Sequence, residues 1–419
     1  MQDVIVIGGG PAGSTASTLL ARKGFRVTLF ERERFPRFQI GESMLPYSND
    51  IFRRLGVYEK LVDRGFFPKY GAGFVTADGS ASTVFRFRET LEPPYQRSFQ
   101  VERSRFDQLL LEHSRENGVD VREETPIARV DLSDPARAVV DTTAGERHEA
   151  RFVIDCSGHG ALLAHATGRR KTVDSLKKTA FFSHYRNVRP EEGRDRYNII
   201  IVVLRNGWFW MIPLSDEKTS IGVVTDRETA IASGLSGEEL LERTIATTPF
   251  VAERMQNAER TMEVRQRKDF SYRVSTLVGE NFAVAGDAAG FLDPIFSTGV
   301  MIAMTSASRL TDAITEKLNH GSMRALRTYE TKTQIAINRY LRFIENFYRR
   351  EFMEMLLHPD PPRPMYMAIV RMLGGNVFSS FFDRAMLGIF FTMVRLQNRF
   401  GFAPRIKWSA LPSAAGGGK

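Results

Sequence analysis

The chemistry open to this chain is signalled first by three glycines, Gly8, Gly10 and Gly13, and by the acid Glu31 that follows them. In a Gly-x-Gly-x-x-Gly spacing the first glycine permits a tight turn and the second lets backbone approach a pyrophosphate. The third allows a helix to pack closely on a strand. With Pro11 and Ala12 inside that turn, the helix beginning there offers N–H groups and a positive dipole end to phosphate. Glu31 is placed to accept from a ribose hydroxyl, and Arg32 beside it to reach the adenosine end of a dinucleotide. Gly286-Asp287 puts a carboxylate at the end of an apolar strand, where it can accept from ligand hydroxyls, and the small residues after it let backbone come close. Lys69, set among Phe66, Phe67, Pro68 and Tyr70, can have its pKa lowered by desolvation, which favours the nucleophilic amine. Trp208 and Trp210 share one face of a strand, because side chains alternate. Each has a plainer reading beside it: a common turn for Gly286-Asp287, a solvated lysine for Lys69, core tryptophans in a sheet for the indoles.

Those residues need elements to hold them. Val4-Ile5-Val6-Ile7 is a short β-branched run ending at the glycines, Ser14 to Lys23 suits a helix, and Val27-Thr28-Leu29-Phe30 resumes strand chemistry, which together make a βαβ unit. Phe282-Ala283-Val284-Ala285 reads as the strand before Gly286, and Arg151 to Asp155 as another, ending in the small-residue turn Cys156-Ser157-Gly158. Around Arg103 a strand hands over to a helix continuing through Leu109-Leu110-Leu111. Alternation from about Tyr197 to Val224 suggests strands of a further sheet. Beyond Gly299 the pattern turns helical, and from Tyr329 to Phe402 the chain is mainly helical, rich in Phe and Met, and broken by Pro359, Pro361, Pro362 and Pro364. Val377 to Leu396 is strongly apolar, but Asp383, Arg384 and Arg395 interrupt it, so it is not a clean spanning helix. It reads as a core helix or as a lid facing a partner or a membrane. Ser413 to Lys419 reads as a flexible tail.

Taken together, the Gly8–Gly13 turn, Gly41-Glu42-Ser43, Trp208-x-Trp210-x-Ile212-Pro213 and the run Gly286-Asp287 through Phe291-Leu292-Asp293-Pro294-Ile295-Phe296-Ser297-Thr298-Gly299 resemble flavin-dependent halogenases of the phenol, pyrrole and carrier-protein branch. These belong to the group A flavoprotein monooxygenase superfamily. The resemblance covers about residues 1–320. It implies an α/β fold: a glutathione-reductase-like, FAD-binding Rossmann domain with an inserted antiparallel β-sheet substrate layer and a helical C-terminal region. The domains expected are a discontinuous FAD-binding unit over 1–320, with its inserted sheet at about 171–275, and a helical region with a flexible tail over 321–419. It implies that FAD contacts Gly8, Gly10, Pro11, Ala12, Gly13, Glu31, Arg32, Gly41, Arg103, Gly286, Asp287, Gly299 and Val300. Chloride or bromide would sit at the backbone of Thr298 and Gly299, and Lys69 would be the lysine that holds or reacts with hypohalous acid. Trp208 and Trp210 would keep an organic substrate from the flavin. Asp293 orients its turn or bonds covalently to a flavin methyl group.

The activity so implied needs FADH2 and O2: hypohalous acid forms from a flavin hydroperoxide and halide, then halogenates an electron-rich aromatic group, free or tethered to an acidic carrier protein. A separate flavin reductase would be a partner. The rival readings are an FAD-dependent aromatic hydroxylase, a geranylgeranyl-reductase-like FAD reductase, and a flavin-binding module without chemistry of its own.

Composition sets outer limits. With 419 residues, 42% hydrophobic and 26% charged, usage is that of ordinary globular proteins, which excludes disordered and fibrous classes. Cys156 is the only cysteine, which excludes a disulfide framework and a multi-cysteine metal site and fits a reducing cytosol. No metal site is expected, and without a signal-peptide pattern the expected location is cytoplasmic. A net charge of +9 favours acidic partners. With no basic run or nucleic-acid module, a carrier protein or the cofactor phosphates suit it better than nucleic acid, beside the alternative of a merely solvated basic surface.

Overall fold

The computed structural model describes residues 1–268 and 271–409; the expected tail, Ser413 to Lys419, lies outside them. The apolar run at the N-terminus is the strand Gln2–Ile7, and Pro11, at the first turn of the helix Pro11–Arg22, has the fixed φ that a helix start accepts. The strand Val27–Phe30 returns parallel to the first, completing the βαβ unit. The parallel order runs Asp120–Arg122, Val27–Phe30, Gln2–Ile7, Arg147–Asp155, with Phe282–Val284 beside the far half of the last strand. The near half of Arg147–Asp155 pairs antiparallel with Arg137–Thr142, which pairs with Ile127–Asp134. Register decides where function can sit. Ile7 faces Phe30 and Asp155, and Asp155 faces Val284, so these strands end level and deliver Gly8, Glu31, Cys156 and Ala285 to one edge. That edge, outside the carboxyl ends of parallel strands, is where open α/β sheets bind ligands.

A second, eight-stranded sheet stands over that edge. Its central strands, Lys178–Arg186, Thr219–Asp226, Gly207–Pro213 and Ile199–Leu204, pair antiparallel, and Ile199–Leu204 then pairs parallel with Gly71–Thr76. Two of its strands, Gly71–Thr76 and Ser82–Arg86, thus come from well before residue 171. The two-residue period sorts its side chains. Phe209 and Met211 join a core on one face with Leu240 and Leu241 of the helix Gly237–Thr247. Trp208, Trp210 and Ile212 face the other way, into a larger core. That core is closed by Gly299–His320, Arg324–Phe347, Arg350–Leu356, Arg363–Leu373 and Phe381–Phe400, the last three separated by the prolines and by Gly374 and Gly375. Helix Phe381–Phe400 is only half a core helix. Leu387, Phe390, Phe391 and Val394 are buried, whereas Phe381, Phe382, Ile389, Leu396 and Phe400 are exposed.

Candidate active site

The level strand ends bound a cavity of about 610 Å³. At its base, Gly8 has φ +102°, and a Cβ there would lie 2.3 Å from the Cys156 carbonyl oxygen. Gly10, where an added Cβ would meet nothing nearer than Arg37 Nη2 at 3.5 Å, presents bare backbone to the cavity. Gly13 lies beneath, its place fixed by packing: a Cβ would sit 1.8 Å from the Gly8 carbonyl oxygen. Buried Glu31 accepts from the N–H of Gly9 at 2.6 Å and of Glu33 at 2.9 Å. Both bonds hold its carboxylate at the strand end while leaving lone pairs for a ligand hydroxyl. Arg103 opens the helix Arg103–Glu116 and forks onto Asp107 at 2.8 and 2.9 Å. Its third nitrogen donates to the Ile40 carbonyl at 2.7 Å, which ties the loop before Gly41 to this helix. Asp287 also lines the cavity; burial raises its carboxyl to about 6, against the opposing pull of Arg103 and Arg267.

The segment Gly41-Glu42-Ser43 both lines the cavity and precedes the helix Ser48–Leu55. Gly41 has φ +105°, which suits glycine. Ser43 accepts from Lys69 Nζ at 2.8 Å, and the Met44 carbonyl accepts from it at 3.1 Å. Lys69 itself, on the strand Phe67–Lys69, is 1% exposed, and burial draws its pKa from 10.5 down to about 7. Ser43, not Lys69, forms the cavity wall, so the lysine stands one side chain behind it. Glu42 turns toward the second sheet, where His184 Nε2 lies 2.9 Å from its Oε1.

The loop after Gly286-Asp287 forms the opposite side. Asp293 accepts from the Ile295 N–H at 3.1 Å and from the Tyr348 hydroxyl at 2.6 Å, and is wholly buried rather than on the wall. Both carboxylate oxygens are engaged within the protein, the arrangement of a turn-orienting acid. Burial raises its carboxyl to about 6, opposed by the Tyr348 bond and by Lys178. Tyr348 in turn accepts from Trp208 Nε1 at 3.1 Å, which couples the indole to the loop. Ser297 has φ +56°, a region costly for a non-glycine residue, so its surroundings hold it there. Thr298 is buried just below, and Gly299 and Val300 begin the helix Gly299–His320 at the cavity wall. The first N–H groups of a helix have no partner inside it, so this end can receive an anion. Trp208 and Trp210 stand over the loop with ring centroids 5.7 Å apart, and Phe182 lies 5.7 Å from Trp210.

Comparison with known proteins gives this geometry a family. The family model described as tryptophan halogenase matches residues 3–90 and 77–353. The chain belongs to the tryptophan halogenase family. It is 31% identical over 404 residues to a 1H-pyrrole-2-carbonyl-[peptidyl-carrier protein] chlorinase of Pseudomonas fluorescens, with 90% of each chain covered. To the corresponding brominase of Pseudoalteromonas luteoviolacea it is 32% identical, with 76% of this chain and 78% of that one covered. The solved myxobacterial chondrochloren halogenase superposes with a TM-score of 0.78 at 32% identity, covering 94% of this chain and 97% of that one. The chain is thus a flavin-dependent halogenase, an FAD-using oxidoreductase, and the hydroxylase and reductase readings are not favoured.

The halogenase's residues fit the cofactor. Gly8, Gly10, Pro11 and Ala12 would cradle the pyrophosphate, Glu31 and Arg32 the adenosine side, and Arg103, Gly41, Asp287, Gly299 and Val300 the flavin side; all of these line the cavity. Gly13 and Gly286 act beneath the wall, Gly286 with φ +66° and an added Cβ only 2.7 Å from that of Ala12. Of the buried side-chain atoms without a hydrogen bond among the described residues, one, Glu42 Oε2, belongs to a residue of the cavity wall, a state a bound ligand can relieve. Sequence reasoning missed three wall residues of the halogenase, His159, Arg265 and Arg267. His159 packs at a tilt on Phe291, ring centroids 4.3 Å apart, and its pKa is drawn down to about 3, by burial first and then by Arg267 and Arg170. Arg265 and Arg267 add positive charge from a strand of the second sheet, and Glu42 is positioned by His184. No short motif marks these three: His159 sits in the turn Gly158–Gly160 after the strand Arg147–Asp155, and the two arginines reach the cavity through the pairing of their strand with Lys178–Arg186.

Gly222 makes room for the inner indole. It faces Trp210 across the sheet, and a Cβ there would lie 2.2 Å from Trp210 Cζ2. Gly222→Ala should therefore push the indole off its 3.0 Å bond to Ser220 Oγ and destabilise the protein by about 1–3 kcal/mol. Denaturant unfolding followed by tryptophan emission checks this; unchanged stability and emission would show that the indole is not pinned there.

Proposed function

We propose that this halogenase transfers electrophilic chlorine or bromine through Lys69 to an electron-rich ring, a pyrrole-type acyl group carried on an acidic carrier protein being the substrate class best supported. The observation that carries the reading is Lys69: fully buried, with its pKa at about 7 and hydrogen-bonded to the wall residue Ser43. Near neutral pH much of it is free amine, so the nitrogen lone pair is available.

Bound FAD, reduced by a separate flavin reductase, supplies with oxygen the two-electron oxidation of halide to hypohalous acid. The chain does the rest. The N–H groups at Thr298, Gly299 and the start of the following helix hold the halide anion without adding a full cation. Trp208 and Trp210, fixed through Tyr348 and Ser220, fill the space over the loop so that the organic ring stays away from the flavin. The Lys69 amine takes the halogen of hypohalous acid and water leaves. When the halogen passes to the ring, the N–halogen electron pair returns to nitrogen and the ring carbon loses its proton. The carrier-tethered pyrrole is supported by the likeness to the chlorinase and brominase, the first of which is covered over 90% of its length.

The test is reconstitution with FAD, a flavin reductase, NADH, bromide and a pyrrole-2-carbonyl carrier protein, read by intact mass. A bromine mass shift on the carrier is expected; bromination of the free acid only would move the substrate class to untethered arenes.

A further inference from the structure

Seven of the eleven large apolar side chains exposed among the described residues lie between Phe378 and Phe402. Four of them, Phe382, Ile389, Leu396 and Phe400, recur at seven-, seven- and four-residue intervals, so they form one stripe along the helix Phe381–Phe400. Arg384, Arg395 and Arg399 form a second line about a quarter-turn or more round the helix from it, all exposed and none with a carboxylate partner among the described residues. The helix has a single acid, Asp383, and it is buried and bonded to Arg371 at 2.8 Å. The outward face is therefore apolar along one line and cationic along another, with the small residues Ala385, Gly388 and Thr392 between them.

The inward face points at the reaction. Phe391 packs on Phe343 with ring centroids 5.0 Å apart, and Phe343 on Phe296 at 6.1 Å; Phe296 immediately precedes Ser297 of the cavity wall. A single aromatic ring, Phe343, thus links this helix to the loop that begins the anion-holding helix.

We propose that this face is where the acidic carrier protein docks, its apolar side chains seated on the Phe382–Phe400 stripe and its carboxylates on Arg384, Arg395 and Arg399. The inference rests on the carrier-tethered reading above. Charge selects the occupant. A second copy of this chain would set arginines against arginines in a two-fold pairing. A helix of 20 residues is about 30 Å long. One face of it then offers on the order of 300 Å², below the roughly 800 Å² that each partner contributes to a stable complex. A partner that must leave after each turnover needs no more, and a tethered substrate needs its carrier close to the cavity.

The experiment measures binding of a fluorescently labelled, pyrrole-2-carbonyl-loaded acidic carrier protein to the FAD-loaded halogenase. It compares the native chain with Arg395→Glu/Arg399→Glu and with Phe382→Ala/Phe400→Ala. All four side chains are exposed, so the fold should survive. At least a tenfold weakening in each variant is expected, with native affinity falling as salt rises and with bromination of a free arene unchanged. Variants that bind and brominate the loaded carrier like the native chain would overturn the docking face and leave the carrier reading standing. A native chain that neither binds nor brominates it would overturn both. Binding to phosphatidylserine vesicles without binding to the carrier, or self-association through this face, would also overturn the proposal.

Discussion

Lys69→Met should retain its fold and its FAD and still oxidise halide, yet lose halogenation of an aromatic substrate by about 10³-fold, the scale at which removing one catalytic group is felt. Methionine fills nearly the same volume without the charge, so the packed site behind Ser43 tolerates it. Separate readouts of hypohalous acid, by a small thiol trap, and of aryl halide, by mass spectrometry, divide the two half-reactions. A variant that halogenates like the native chain would remove Lys69 from the chemistry. The pH behaviour gives an independent check. With the folded pKa near 7, the lysine-dependent step should rise with pH to about 7 and then flatten as the amine becomes fully neutral. The same shift enters stability. Between about pH 7 and pH 10 the unfolded chain holds a proton on this lysine and the folded chain does not, so unfolding takes up a proton and stability rises with pH across that window. Lys69→Met should lose that rise, and equal pH slopes in the two proteins would show that the amine is not depressed.

Gly13→Ala should abolish retention of FAD. The added methyl carbon would lie 1.8 Å from the Gly8 carbonyl oxygen and 3.0 Å from its carbon. Backbone cannot yield as a flexible side chain can, so the helix Pro11–Arg22 must lift from the strand Gln2–Ile7 and carry Gly10, Pro11 and Ala12 out of place. A loss of at least about 100-fold in FAD affinity, about 2.7 kcal/mol, is expected, measured by titrating apoprotein with FAD. Gly10→Ala is the contrast, because its Cβ would meet only a guanidinium at 3.5 Å: the fold should persist, with the effect confined to the ligand. Gly13→Ala protein that purifies with full FAD would show that the helix has slack the packing does not reveal.

The parts of this protein legible from sequence are those whose physics is local. The Gly8–Gly13 turn, Glu31 at the next strand end and Gly286-Asp287 each follow from one strand and the turn after it, and all reach the same edge because neighbouring strands end in register. Lys69 was legible as a residue type in an aromatic setting. Its complete burial was not, because that depends on Ser43, Met44 and the strand Ser98–Gln100 closing around it. The Glu42–His184 contact spans 142 residues and joins the loop before the helix Ser48–Leu55 to the second sheet, so no spacing rule could suggest it. Gly71–Thr76 gave no sign of belonging to the second sheet because its partner, Ile199–Leu204, lies more than a hundred residues on. The apolar segment near the C-terminus left a core helix and an outward-facing lid unresolved, and the structure shows why: one side packs on Phe343 and Phe352 while the other stays exposed.

The most direct measurement of the central claim is a single turnover. FAD-loaded protein is reduced without oxygen, then mixed with oxygen, bromide and an electron-rich arene, and the product is weighed. Brominated arene is expected in proportion to reduced flavin, and none when bromide is left out. Oxygen consumed with no halogenated product at any bromide or chloride concentration would contradict it.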